Sequence, residues 1–438
     1  MSPVRRRRTL VVGLALSMLA LVASHAVAAT VTDVGPGGKA GAKAPKPVGT
    51  VGQLVVKLAP GAEIAPINRT LGSTTRSVLL ASRGIYLIDV PVVVAGKDAA
   101  KQRAEWKAEA KELIKKITKD PTVIYAEANT EADIADSERF HYWPSGGPSC
   151  LGTDPSLYTR QPDATRLRLD AVHRMSAGAG QTIAVLDTGI DLRQPALAAR
   201  VVPGGYDYVD DDSQPDDVAT GTDGDGDRLS DEGYGHGTFV AGVASLVAPD
   251  AGLLPMRVLD AEGRGNVFVV AEALYDATAR GADVVNMSFG TAERTTSRVL
   301  QDAIKDVRAG GAIVVAAAGN DGSEAKHYPA AMDGITSVAA LEAGGTRLAS
   351  FSVQGKWVDI AAPGENVIST LPCGYGSWSG TSVAAPFVAG SAAVLTGSTA
   401  KHVPASKVMK ALEEGADHSH KLNVRTGSID LLRSLGRV

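Results

Sequence analysis

The sequence predicts an α/β protein: a mainly parallel sheet with helices on both faces, preceded by a small α+β unit. The first observation is a series of short apolar runs, "TIAVLDTGI", "LLPMRVLD", "DVVNMSFG", "AIVVAAAGN", "ITSVAAL" and "WVDIAAP", most of which close near Gly, Asp or Pro. Runs of that length and texture suit strands buried on both sides. The second is the helical pattern between them, as in "VFVVAEALYDATARG" and "RVLQDAIKDVRAGG", which makes the connections crossovers and the sheet parallel. The third is a change of texture at about Ala135, with strands and one long amphipathic helix before it. In open sheets of this kind, sites form beyond the carboxyl ends of the strands. Asp187, Asn286 and Asn320 stand at such ends.

Taken in order, the chain opens with Arg5 to Arg8, a mostly apolar run from Leu10 to Ala23, and small residues at Ala26 and Ala28. The run is shorter than the ~20 residues a membrane span requires. The pattern is that of a secretory signal peptide over residues 1–28, so the sequence predicts a secreted protein, extracellular or periplasmic, without a stable membrane anchor. Residues 29–50 are rich in Gly, Pro, Ala and Lys and read as a flexible linker. In residues 51–134, "QLVVKL" and "GIYLIDVPV" read as strands. A helix from about Ala99 to Lys119 follows, with Trp106, Ala110, Leu113, Ile114 and Ile117 on one face. "DPTVIYAEAN" then gives a turn and a further strand. The position of this unit, between a signal and the motif-bearing region, favours a propeptide over an accessory domain. Residues 135–438 form the main domain, and the segment from Val403 closes it with helices.

Composition narrows the function. A chain of 438 residues can hold two or three domains. A net charge of -4 gives no basic face for nucleic acid. The 48 glycines show no repeating period, which excludes a collagen-like or solenoid chain. Export implies an oxidising compartment, but whether Cys150 and Cys373 bond stays open, because pairing depends on their separation in space.

Three stretches carry the chemistry: "AVLDTGID" with Asp187, "YGHGTFVAG" with His236, and "SGTSVAAP" with Ser382. Singly, these residues have plain explanations as turn, core and capping residues. Together they supply what acyl transfer needs. A serine hydroxyl is a weak nucleophile until a base takes its proton, and histidine does this near neutral pH. A carboxylate must then fix the imidazole's tautomer and stabilise its charged form. Gly380 and Ala384 keep side chains away from Ser382. Pro386 lacks an N–H, which a helix tolerates near its first turn, so a helix should begin close to Ser382 and turn its positive end toward developing negative charge.

The order Asp, His, Ser and the wording of the three stretches resemble the subtilisin-like serine proteases, or subtilases. The resemblance runs from about Tyr158 to Ser398, including "YPAAMDGITSVAAL" and "LASFSVQGKWVDIAAPGENVISTLP". It implies that Asp187 orients, His236 is general base and then acid, and Ser382 attacks a peptide carbonyl. "AAAGNDG" resembles the segment whose asparagine donates to the oxyanion, which gives Asn320 that role beside the backbone N–H of Ser382. By the same resemblance, Ser288, Phe289 and Gly290 form one wall of the specificity pocket, and Ala317, Ala318 and Gly319 the other. Gly263 and Gly265 of "EGRG" then lie on the edge against which substrate is laid as a strand. Asp321 is expected either at the pocket rim or as a solvated loop carboxylate. Residues 51–134 resemble inhibitor-type propeptides, which implies self-cleavage between about Thr130 and His141, with the chain's own propeptide as its intramolecular inhibitor.

The family pattern has histidines where this chain has Phe239 and Phe387, and methionine where it has Val383. None is a triad member. Without a thioether beside the nucleophile, inactivation by peroxide should be slow. The loop between Asp207 and Glu232 is crowded with carboxylates; Asp223, Asp225 and Asp227 have the alternation of a calcium loop, and Asp231 is placed to join them. Arg228 and Tyr234 break the EF-hand pattern, so a solvated acidic loop is the competing reading. No cofactor is expected for the chemistry, with calcium as the candidate structural ion. The expected activity is endopeptidase action on proteins or peptides by a monomer, rising as His236 loses its proton near the reference value of about 6.5. The alternatives are an esterase or acyl transferase using the same triad, or a retired enzyme serving as a binding module.

Overall fold

The computed structural model describes residues 50–79, 81–92, 99–134, 149–224, 229–291, 296–399 and 403–438. The signal peptide reading, all of the linker before Thr50, Asp225 and Asp227 fall outside those residues.

The N-terminal unit contains β1 (Gln53–Leu58), α1 (Ala65–Leu71), β2 (Thr74–Leu79), β3 (Ile85–Asp89), α2 (Ala99–Ile117) and β4 (Val123–Ala128), followed by the short β5 (Glu131–Asp133). β1 to β4 form an antiparallel sheet in the order β2-β3-β1-β4. One face, carrying Leu54, Val56, Leu58 and Ile88, packs on Trp106, Ala110 and Ile117 of α2 and Ile67 of α1. Val55, Leu79, Ile85 and Leu87 instead join an apolar cluster of the main domain. This explains why "QLVVKL" is apolar without alternation: both faces of β1 are covered.

The main domain opens with β6 (Ser149–Gly152) and three short helices, α3 (Pro155–Thr159), α4 (Pro162–Arg166) and α5 (Leu169–His173). The chain continues through β7 (Thr182–Asp187), β8 (Tyr206–Asp207), α6 (His236–Val247), β9 (Gly252–Arg257), β10 (Arg264–Asn266) and α7 (Val267–Ala279). Next come β11 (Val284–Met287), β12 (Gly290–Thr291), α8 (Arg298–Ala309), β13 (Ile313–Ala317), β14 (Thr336–Leu341) and β15 (Ile360–Pro363). It ends with β16 (Val367–Leu371), β17 (Gly374–Trp378), α9 (Thr381–Thr396), α10 (Ala405–Gly415) and α11 (Leu431–Leu435).

Seven strands form one parallel sheet in the order β15-β14-β13-β11-β7-β9-β8, as the alternation of apolar runs and helices predicts. Along β7, Ile183 and Val185 face the cluster containing α6 and α9, while Ala184 and Leu186 face the one containing α7 and α8. The chain leaves β7 for β9 and β8 on one side and returns to β11, β13, β14 and β15 on the other. β7 is therefore the switch point, where a crevice opens at the carboxyl end. Asp187 is its last residue. Asn286, expected at a strand end, lies within β11 instead.

β16 and β17 form a hairpin, with β6 added on the free edge of β17. A disulfide joins Cys150 to Cys373, 223 residues apart in sequence, and so settles the pairing that composition left open. In the chain-entropy description a closure of that size is worth on the order of 5 kcal/mol.

Candidate active site

His236 is the first residue of α6, after Gly235 in a left-handed conformation with φ 86. Its Nδ1 lies 2.7 Å from Oδ1 of Asp187, and both side chains are buried. The Thr188 N–H donates to the same carboxylate oxygen at 2.8 Å. Gly237 makes this approach feasible: a Cβ there would fall 2.1 Å from the Gly189 carbonyl oxygen. Trp378 meets the imidazole edge-on, with ring centres 5.2 Å apart.

Ser382 is the second residue of α9, and Pro386 lies inside that helix. The helix start agrees with the sequence expectation, but the proline sits beyond the first turn. Its missing N–H would have bonded the Ser382 carbonyl four residues back. The Ser288 hydroxyl donates to that carbonyl instead, at 2.7 Å. Proline thus frees an acceptor that ties the backbone of Ser382 to the loop after β11. Ser288 in turn accepts from Asn286 Nδ2 at 2.8 Å.

Asn320 follows β13. Its Oδ1 accepts from the Thr381 N–H at 2.8 Å, and Thr381 Oγ1 accepts from the Gly319 N–H at 3.0 Å. These two bonds stitch the loop to the start of α9. Gly319 has φ +113, and a Cβ there would fall 2.9 Å from the His327 ring. Asp321, expected at a pocket rim or in solvent, pairs with His327 at 3.2 Å and accepts from the Ser323 N–H. α6 and α9 pack closely, since a Cβ on Gly390 would meet Val247 at 2.7 Å. Phe239 and Phe387, in place of histidines, are wholly buried in that contact's apolar cluster, and Val383 is buried with them.

β5 is the central strand of a three-stranded antiparallel ladder between β10 and β12. Ala132 pairs with Gly265 and Thr291, and Asp133 with Arg264 and Gly290. The Ile134 N–H donates to the Gly263 carbonyl at 3.0 Å. Gly263 has φ +75, and a Cβ there would lie 2.4 Å from the Ile134 side chain. The edge thus needs glycine on both conformational and steric grounds. Gly263, Gly265 and Gly290 all line this ladder; Ala317 ends β13, and Ala318 and Gly319 follow it. Behind β5, Glu127 caps α8, accepting from the Ser297 hydroxyl at 2.8 Å and from the N–H groups of Arg298 and Val299 at 2.8 and 3.0 Å. Burial raises this carboxyl above its ordinary range although the three donors oppose the shift. Asn129 accepts from the Phe268 N–H at the start of α7. Lys57 pairs with Asp302, and Arg83 with Asp306.

The acidic loop is largely bonded to itself. Asp231 accepts from Thr220 N–H, Thr220 Oγ1 and Gly221 N–H at 2.7 to 2.9 Å. Arg257 is buried against Asp207 and Asp210, at 2.6 Å from each. Among the described residues no group of three or more His, Cys, Asp or Glu side chains could hold a metal ion. Two features escape sequence reasoning. Ser288, expected as a pocket wall, bonds the Ser382 carbonyl. Asp217 is buried beside α6, and in sequence nothing distinguishes it from the solvated carboxylates around it.

A paired carboxylate and imidazole at the switch point, a serine at the start of α9, which packs on α6, and a strand laid between β10 and β12 fit a serine hydrolase that takes extended chains. A model of the subtilase family matches residues 178–427, and the chain belongs to that family. The thermophilic serine proteinase of Bacillus sp. (strain AK1) is 34% identical over 318 residues, covering 70% of each chain. Thermitase of Thermoactinomyces vulgaris is 37% identical over 275 residues, covering 60% of this chain and 91% of its own. Subtilisin E of Bacillus subtilis (strain 168) is 33% identical over 297 residues, covering 64% and 67%. The crystal structure of fervidolysin from Fervidobacterium pennivorans, a keratinolytic enzyme related to subtilisin, matches with TM-score 0.68 at 23% identity. That match covers 88% of this chain and 61% of fervidolysin, and shows a shared fold. The protein is a serine endopeptidase of the subtilisin-like type, which acts on peptide bonds.

Proposed function

We propose that the chain is a secreted endopeptidase precursor that cuts itself once and is then held inactive by its own N-terminal unit. In this reading Ser382 Oγ attacks the peptide carbonyl while His236 Nε2 takes its proton. Asp187 keeps the other imidazole proton on Nδ1 and stabilises the charged ring. The Asn320 amide and the Ser382 N–H donate to the oxyanion. The C–N bond then breaks, the leaving amine takes the proton from His236, and water repeats the sequence in reverse to release the acid from the serine ester.

The observation that carries the proposal is the position of β5, laid between β10 and β12 as a substrate strand would be. Its direction also supports a particular bond. Asp133, the last residue of β5, is opposite Gly290, two residues from Ser288, which bonds the Ser382 carbonyl. Cleavage between Ala135 and Asp136 follows, within the window expected from sequence. The N-terminal fragment ending at Ala135 then remains as a product-like inhibitor.

Casein digestion, with a serine-directed fluorophosphonate as probe, tests the function. Digestion should stop as one label enters per molecule, at Ser382, and Ser382→Ala protein should take no label. Hydrolysis of small esters without casein would favour the esterase, and no labelling at all the retired binding module. Among the described residues no helix is long and apolar enough to cross a membrane. Export is tested by finding the chain outside the cell without residues 1–28, and the monomer by its mass in solution. Calcium as a structural ion of the loop that includes Asp223, Asp225, Asp227 and Asp231 should raise the melting temperature; equal melting in calcium and in chelator would remove that part.

A further inference from the structure

We propose that Asp217 is a positioning residue for His236: its ionised carboxylate fixes the first turn of the helix that carries the base. This rests on the reading of His236 as the general base. Gly235, at the N-cap of α6, has no side chain to cap the helix. A carboxylate 18 residues upstream does so instead, with Oδ1 accepting from the Gly235 N–H at 3.1 Å. Its Oδ2 accepts from the Thr238 N–H at 3.1 Å and from the Thr238 hydroxyl at 2.6 Å. His236 lies between those two anchored residues.

The same carboxylate ties the helix to the segment that follows Asp187. The Thr238 hydroxyl, while donating to Asp217, accepts from the Asp191 N–H at 2.9 Å. The Asp217 N–H donates to the Ile190 carbonyl at 3.3 Å, and the Ile190 N–H to the Pro215 carbonyl at 3.0 Å. Gly189 is close enough that a Cβ there would fall 2.9 Å from the backbone of Asp216 and Asp217. Asp217 is therefore a joint between the strand bearing the orienting carboxylate and the helix bearing the base, and the Asp187–His236 contact depends on both.

Three donors converge on Asp217, two of them on Oδ2; a proton there would turn an acceptor into a donor facing other donors, so the ionised form matches these partners best. Its surroundings oppose that state. Burial pushes the carboxyl up to about 7, the Asp187 charge adds to this, and the bonds from Thr238 and Gly235 pull the other way. Tyr234, Asp191, Asp216 and Arg193 surround the same corner, with Arg193 paired to Asp191 and His236 on the helix itself. Two groups, His236 and Asp217, must then lose a proton before the site is competent.

The test measures kcat and kcat/KM from mildly acidic to alkaline pH on a chromogenic peptide, with active enzyme counted by fluorophosphonate labelling. Wild-type enzyme should show an acid limb of log kcat/KM with slope of about two, the mark of two protons. Asp217→Asn should reduce the slope to about one and lower kcat about tenfold or more, with KM nearly unchanged. Asp217→Glu should recover part of the rate and the steeper limb. If Asp217→Asn does not fold, Thr238→Val, which removes one donor, should lower kcat in the same direction by less. A wild-type slope of one, or variants with unchanged kcat and pH profile per labelled site, would overturn the proposal. Absence of any label on wild-type enzyme would instead refute the endopeptidase reading beneath it.

Discussion

The main domain and the N-terminal unit are both layered structures of sheet and helix, but they close differently. The seven-stranded sheet buries each face against its own helices, α6 and α9 on one side, α7 and α8 on the other. The four-stranded sheet covers only one face with its own helices and rests the other, through Val55, Leu79, Ile85 and Leu87, on the main domain. Around that apolar contact the join is polar: Glu127 and Asn129 cap α8 and α7, and Lys57 and Arg83 meet Asp302 and Asp306. One region is complete by itself; the other is finished by docking. In the proposed reading such a unit is a plug, bound firmly while whole and losing much of its support once freed.

The comparison can be broken at several points. The largest effect should come from Cys150→Ser, because the disulfide lies in the self-sufficient region. A loss of about 2 to 5 kcal/mol is expected, read as a lower melting temperature that matches reduced wild-type protein. A drop confined to the N-terminal unit would contradict the division. If the Asn320 amide donates to the oxyanion as proposed, Asn320→Leu should lower kcat about a hundred- to a thousandfold, the range for loss of one such donor, with little change in KM. Melting of both regions should stay as it was. Glu127→Ala leaves three donors of the main domain without their acceptor, at about 1 to 3 kcal/mol. It should weaken inhibition by the cleaved N-terminal unit, measured as an earlier onset of casein digestion, without altering the rate of the freed enzyme.

The smallest effect sharpens the picture of the main domain. The Asp217 carboxyl keeps its proton up to about 7 in the fold, against 3.8 as its ordinary value. Protonation there stabilises the folded state, so the contribution is full below about pH 4 and is lost as pH rises through about 7. Activity moves the other way over the same window. Calorimetry of Asp217→Asn beside wild type should show this part of the pH dependence of melting disappear; an identical dependence in both would be evidence against it.

The sheet is legible in the sequence because strands buried on both faces leave apolar runs, and glycine, aspartate or proline marks where they end. Asp187, His236 and Ser382 stand out in the sequence because each sits among small residues, and the structure brings the first two into contact. The hairpin of β16 and β17 is not, since "GYGSW" has neither an apolar run nor alternation, and the Cys150–Cys373 bond depends on that hairpin's pairing with β6. The role of Ser288 needs the fold, because the carbonyl it bonds belongs to a residue 94 positions away. Asp217 is hidden by its neighbours: in a loop full of carboxylates, only coordinates tell which one is buried. α1 is missed because its seven residues hold one buried side chain, Ile67, too little for a periodic signal.

The claim that joins the two regions is that the enzyme's own serine cuts the strand lying across it. Intact-mass measurement of purified wild-type and Ser382→Ala proteins tests this most directly. The account predicts wild-type protein as two fragments divided between Ala135 and Asp136, and the variant as one uncut chain. A variant divided at the same bond when purified alone, or wild-type protein cut elsewhere, would contradict it.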